Sequence, residues 1–260
     1  MQHRTRLSRD FLLLLSGVVL LFAIAPLYYQ RNWGGRGLEL PFNLTTWAAA
    51  TLIICCAMLL LMFRKQLLLP RGYIYFVSIP VIIILVNLVT GTPQPVAFFF
   101  RETFIVGGLF FFFALFQFKL KPGQLDWILL AIVLSTIVHA LIGVLQVNSP
   151  ELMANWYATT ETGVPRGVFQ QINVQATFLT TGVIISMYLL SRPVVKQFNH
   201  LVSALLIVSI GLSSFVIIYS GSRVGLLSFL FSLLLLAIFR HRQLLNRKSL
   251  LALALAAILL

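Results

Sequence analysis

The stretch Pro165-Arg-Gly-Val-Phe-Gln-Gln-Ile-Asn-Val-Gln-Ala-Thr-Phe-Leu-Thr-Thr-Gly182 leads a cluster of polar side chains into an apolar run over 170–190. One arginine, three glutamines, one asparagine and three threonines fall within it. Polar groups placed in hydrocarbon cost free energy unless they are paired or line a wet cavity. The stretch therefore reads as the entry to a membrane-crossing helix, with an end shaped by more than packing.

Working outward, 60% of the residues are hydrophobic and 10% charged, which excludes an ordinary soluble domain. A spanning helix needs about 20 apolar residues. Eight runs have that character: 11–29, 43–63, 73–90, 96–118, 125–147, 170–190, 201–219 and 224–239. A ninth begins near Ser249 and stops at Leu260. The expected fold is all-α: one polytopic transmembrane helical bundle over 1–260, with eight complete spans and a truncated ninth. On that reading the chain is the N-terminal portion of a longer protein or ends at a premature stop; a short interfacial tail is the alternative. Ala23-Ile-Ala25 resembles a signal-peptide cleavage site, but Pro26 directly after it disfavours cleavage, so a retained first helix is expected.

The net charge of +13 raises nucleic acid as a partner, and its distribution argues against one. With the N-terminus inside, fourteen of the 19 Lys and Arg fall in cytoplasmic segments; Arg31, Arg36, Arg101, Arg166 and Arg223 fall outside. That bias follows the positive-inside rule and holds the inner face against an anionic leaflet. Every lysine is inside, and every outer basic residue is arginine. Arginine suits phosphate, because its planar fork binds two oxygens at once.

Short turns at 64–72 and Lys119-Leu-Lys-Pro-Gly123 join neighbouring spans, with Asp126 placed to cap the fifth. Two outer loops are longer, 30–42 and 148–167. In the second, Glu151–Tyr157 is expected to form a short helix at the membrane surface, with Trp156 and Tyr157 in the headgroup layer. Adjacent Cys55 and Cys56 point about 100° apart on a helix and read as packing residues.

In the sixth span Asn173, Thr177, Thr180 and Thr181 recur at helical spacing, and Gln170, Gln171 and Gln175 add amides near its outer end. The threonines suit interhelical hydrogen bonding or a cavity wall. The amides beside Arg166 favour a cavity open to the outside. In the fifth span Ser135, His139 and Gln146 share a face, and Gln146 is expected to join those amides. His139 reads as a neutral buried histidine, with proton handling as the alternative. Arg101 opens the fourth span as a phosphate ligand or a snorkelling anchor. Arg223 sits in an outer turn that needs no arginine for topology. No paired carboxylates, P-loop or nucleotide-binding glycine motif is present, so no metal or cofactor is expected.

Arg166-Gly-Val-Phe169 followed by a Gln/Asn cluster, and then Tyr219-Ser-Gly-Ser-Arg-Val-Gly225, resemble motifs of the bacterial O-antigen ligase, O-oligosaccharyltransferase and O-antigen polymerase family. The resemblance implies an inner-membrane glycosyltransferase with a cytoplasmic N-terminus. Its donor would be a glycan on undecaprenyl pyrophosphate, and its acceptor a hydroxyl of protein Ser/Thr, lipid A core or another glycan, at the periplasmic face. It implies diphosphate contacts from Arg166 and Arg223, with Arg101 as a further candidate. Gln146, Gln170, Gln171, Asn173 and Thr177 would line the cavity. The family's acceptor-activating histidine belongs to a later periplasmic loop with no counterpart here, so no catalytic residue is assigned and the chain alone is expected to lack activity. A transporter, a lipid-linked glycan flippase or a catalytically incompetent fragment are the competing readings.

Overall fold

The computed structural model describes residues 8–27, 41–91, 95–121, 123–156, 163–169, 171–192 and 200–244. Among them there is helix and no strand. The helices are α1 (Arg9–Leu27), α2 (Pro41–Arg64), α3 (Tyr73–Thr90), α4 (Pro95–Phe116), α5 (Gln124–Asn148), α6 (Pro150–Trp156), α7 (Ile172–Ser191), α8 (His200–Tyr219) and α9 (Arg223–Leu244). Backbone groups in hydrocarbon must be satisfied within the segment, and these long apolar runs satisfy them as helices.

Among the described residues, six helices are long and apolar enough to cross a membrane: α1, α2 over Leu44–Arg64, α3, α5, α7 and α8. The described apolar parts of α4 and α9, Glu102–Phe116 and Arg223–Leu236, are shorter. Six spans thus stand on length and composition where eight were expected, and the ninth run lies outside the described residues. The chain is a multi-pass membrane protein. The exposed apolar side chains of α3, such as Ile74, Ile82, Leu88 and Val89, fit a helix bathed in lipid.

The chain divides into two compact units. One comprises Met1–Gly17 and Trp47–Lys121, the other Val18–Thr46 and Pro122–Leu260. In the first, Gly17 lies so close to Ile53 that a Cβ would force the isoleucine aside. At one end of this unit a polar knot holds the helices. Nη2 of Arg64, which ends α2, donates to both oxygens of Asp10 at the start of α1, at 2.5 and 2.6 Å. Arg64 Nη1 donates to the Gln117 carbonyl at 2.9 Å, and the Lys119 amide donates to Asp10 Oδ2 at 2.8 Å. The Gln117 side chain accepts from the Leu68 amide and donates to the Leu68 carbonyl, pinning the turn after α2. Arg64 was expected as one of many topological charges; here it is a structural partner.

In the second unit α7 is the hub, packed against α5, α8 and α9. Its core joins Val133, Ile137 and Ala140 of α5 to Leu179 and Val183 of α7 and to Leu206, Ile210 and Val216 of α8. Small residues set the approach, as is usual between membrane helices. Gly182 faces the Thr136 side chain with no space for a Cβ, and Gly143 packs tightly against Val216. Asp126 does not cap α5: Gly123 is the N-cap, and the Asp126 carboxylate lies 3.4 Å from Arg192 Nε at the end of α7.

α1 carries a π-helical turn over Leu20–Ile24, just before Pro26. In an α-helix the amide of residue 26 would donate to carbonyl 22, and proline has none. Ser135 Oγ of α5 donates to the Phe22 carbonyl instead, at 2.5 Å. Ala25-Pro26 is therefore part of a packed helix.

Candidate functional site

The segment 163–169 crosses one end of the second unit and carries Arg166. Its backbone makes a tight turn, with the Phe169 amide donating to the Arg166 carbonyl at 3.1 Å. Gly167, the second residue of the turn, has φ +60°, a conformation that favours glycine. Sterics impose the same choice, since a Cβ on Gly167 would overlap the Gln175 carboxamide.

The turn is held from beneath by α5 and α7. Gln146, 2% exposed, donates from Nε2 to the Gly167 carbonyl and accepts the Gly167 amide on Oε1, both at 2.7 Å. Both ends of its carboxamide are therefore engaged by one residue of the loop. Gln175 is fully buried and donates to the His139 carbonyl at 3.0 Å. The His139 ring is also buried, stacked on Phe169 at 5.4 Å and edge-on to Phe178 at 4.9 Å. This packing explains a histidine in the middle of a span as part of the loop's floor.

Beside the turn, α7 and α9 begin together. Ser222 is the N-cap of α9, its Oγ accepting the Gly225 amide at 2.9 Å. The same hydroxyl donates to Asn173 Oδ1, in the first turn of α7, at 2.7 Å. Gly225 fits against Ala176, where a Cβ would collide with the alanine methyl. Gly221, at φ +65°, turns the chain between α8 and α9. Two helix N-termini thus lie side by side, each carrying partial positive charge from its aligned peptides. Arg223, the first residue of α9, is exposed at this end. Gln171, the N-cap of α7, is exposed and makes no side-chain capping bond.

The sequence-predicted residues separate accordingly. Gln171, Asn173 and Arg223 lie at the starts of α7 and α9, which the Ser222–Asn173 bond ties together, and half-buried Arg166 sits on the turn before α7. Gln146 lies beneath that turn as a brace rather than along an open wall. Thr177 and Thr181 are exposed on α7, whereas Thr180 faces the core, so the four-residue face narrows to Asn173, Thr177 and Thr181. Each of the three threonines donates to the carbonyl four residues back in its own helix, so those hydroxyl protons do not bridge helices. Gln170 and the Arg101 side chain lie outside the described residues; α4, which carries Arg101, belongs to the first unit. Sequence reasoning passed over Ser222, although a serine three residues before Gly225 at a helix start is a capping signal.

A family model described as protein glycosylation ligase matches residues 165–190, the Arg166 turn and nearly all of α7. No curated protein and no solved structure matches the chain. The match supports a glycan-ligase relationship, and it falls on the helix around which the second unit is assembled.

Proposed function

We propose that this chain supplies the donor-binding part of an inner-membrane glycan ligase of the O-antigen ligase and O-oligosaccharyltransferase type. In the reaction an acceptor hydroxyl attacks the anomeric carbon of an oligosaccharide on undecaprenyl pyrophosphate. The carbon–oxygen bond to the diphosphate breaks, a new glycosidic bond forms and the hydroxyl proton is released. The leaving group is already activated, so the protein's task is to orient the two substrates and neutralise the charge that develops on the diphosphate.

One observation carries this reading: the starts of α7 and α9 are tied together by Ser222 and Asn173, with Arg223 exposed at their shared end. Helix N-termini favour anions, and an arginine beside them adds a planar fork suited to phosphate oxygens. Arg166, on a turn braced by Gln146 and Gln175, is the second contact. Asn173 and Thr177 of α7, its N-cap Gln171 and the preceding Gln170 would contact the glycan or diphosphate. Enclosed between Phe169 and Phe178, His139 is not assigned as the acceptor-activating base. The acceptor hydroxyl belongs to protein, lipid A core or glycan. The N-terminus is cytoplasmic, and the Arg166 turn faces the periplasm.

The test is glycan transfer in cells carrying the intact protein at equal membrane levels. Arg166→Ala and Arg223→Ala should each reduce transfer sharply. Arg→Lys at either site should also impair it, since lysine keeps the charge and loses the fork, while Arg31→Lys should change little. Near-normal transfer by both alanine variants would refute the reading.

A further inference from the structure

We propose that Gln146 is a positioning residue for the diphosphate site, acting on the donor through Arg166. This rests on the functional reading above and extends it to a side chain that touches no substrate. Gln146 is nine-tenths buried and more, and its carboxamide closes a two-bond ring with the peptide groups on either side of Gly167. Gly167 is bonded directly to Arg166, so the ring fixes the plane from which the guanidinium projects. The turn is blocked on its other side by the Gln175 carboxamide. Phe169 on His139 fixes its far end. These three contacts restrain the loop on several sides.

An amide is the only neutral side-chain group that both donates and accepts at this spacing in a fixed geometry. Methionine of similar length would leave the Gly167 amide and carbonyl buried without partners, and the loop would move to recover them. Ionised glutamate would accept from the amide but face the carbonyl with a second acceptor. Both substitutions would misdirect Arg166 while leaving its charge in place.

The experiment measures binding of undecaprenyl diphosphate to the intact protein purified in detergent micelles. Gln146→Met and Arg166→Ala should each weaken binding by about tenfold, equivalent to loss of one charge-assisted hydrogen bond. The double variant should bind no worse than Arg166→Ala alone, because Gln146 acts only through that arginine. Gln146→Glu should weaken binding in the same direction. Unchanged binding by Gln146→Met, or losses that add in the double variant, would overturn the proposal. Failure of both Gln146 variants to accumulate in the membrane would also overturn it, assigning the amide to folding. Normal binding by Arg166→Ala would instead refute the functional reading on which the proposal rests.

Discussion

Gly167→Ala is the most informative perturbation of the site's framework. Glycine there has φ +60°, and an L-residue in the left-handed region costs about 1–2 kcal/mol. The new methyl would also overlap the Gln175 carboxamide, which must swing away and give up its bond to the His139 carbonyl. Loss of that bond adds a net cost of roughly 0.5–1.5 kcal/mol, so the total is about 1.5–3.5 kcal/mol. The assay is reversible unfolding in mixed micelles, following the folded fraction as denaturing detergent increases. Replacing Gln175 by alanine removes the obstacle, so the Gly167→Ala, Gln175→Ala double variant should be less destabilised than the sum of the singles by about 1 kcal/mol. Wild-type stability for Gly167→Ala, or strict additivity in the double variant, would refute the packing argument.

Other predictions test separate parts of the fold. Ser135→Ala should destabilise the protein by about 1 kcal/mol, and by less in a Pro26→Ala background, where a new amide can serve the Phe22 carbonyl. Unequal unfolding midpoints in the two backgrounds are the readout. Arg64→Ala should cost about 2 kcal/mol by stranding the Asp10 carboxylate, and Asp10→Asn should recover part of that loss. Ser222→Ala should destabilise the start of α9 by about 1 kcal/mol through loss of its cap, seen as faster amide exchange at Val224 and Gly225. In a background lacking Cys55 and Cys56, Thr159→Cys should react with an impermeant thiol reagent from outside intact cells, and Lys121→Cys should not.

The helices were legible because hydrocarbon leaves the backbone so few choices. The run at 125–147 became α5, and the polar entry at 165–182 led into α7, with ends shifted by a few residues. The short helix after Pro150 was legible from its bracketing prolines and aromatics, and it spans Pro150–Trp156. Hydropathy says nothing about which helices touch. The pairing of Gln146 with Gly167, of Asn173 with Ser222 and of Asp10 with Arg64 depends on helix order and rotation, and no local pattern encodes these. Gln146 and Gln175 were read as cavity amides because a buried amide and a water-facing amide look alike in sequence. Helical spacing placed Thr180 with its neighbours, although one step of 100° separates it from the exposed Thr181. Pro26 argued for a retained first helix but did not show what serves the Phe22 carbonyl, since the serine that donates to it comes from a distant part of the chain.

On the proposed function, the paired starts of α7 and α9, with the Arg166 turn beside them, receive a lipid-linked diphosphate. The most direct measurement is photocrosslinking of the intact protein in membranes with undecaprenyl diphosphate bearing a diazirine next to the diphosphate, followed by peptide mapping. Labels should fall within 165–175 and 220–226, be lost in competition with unmodified undecaprenyl diphosphate and be reduced by Arg223→Ala. Competable labelling confined to other segments, such as the lipid-exposed surface of α3, with none at these two, would contradict that function.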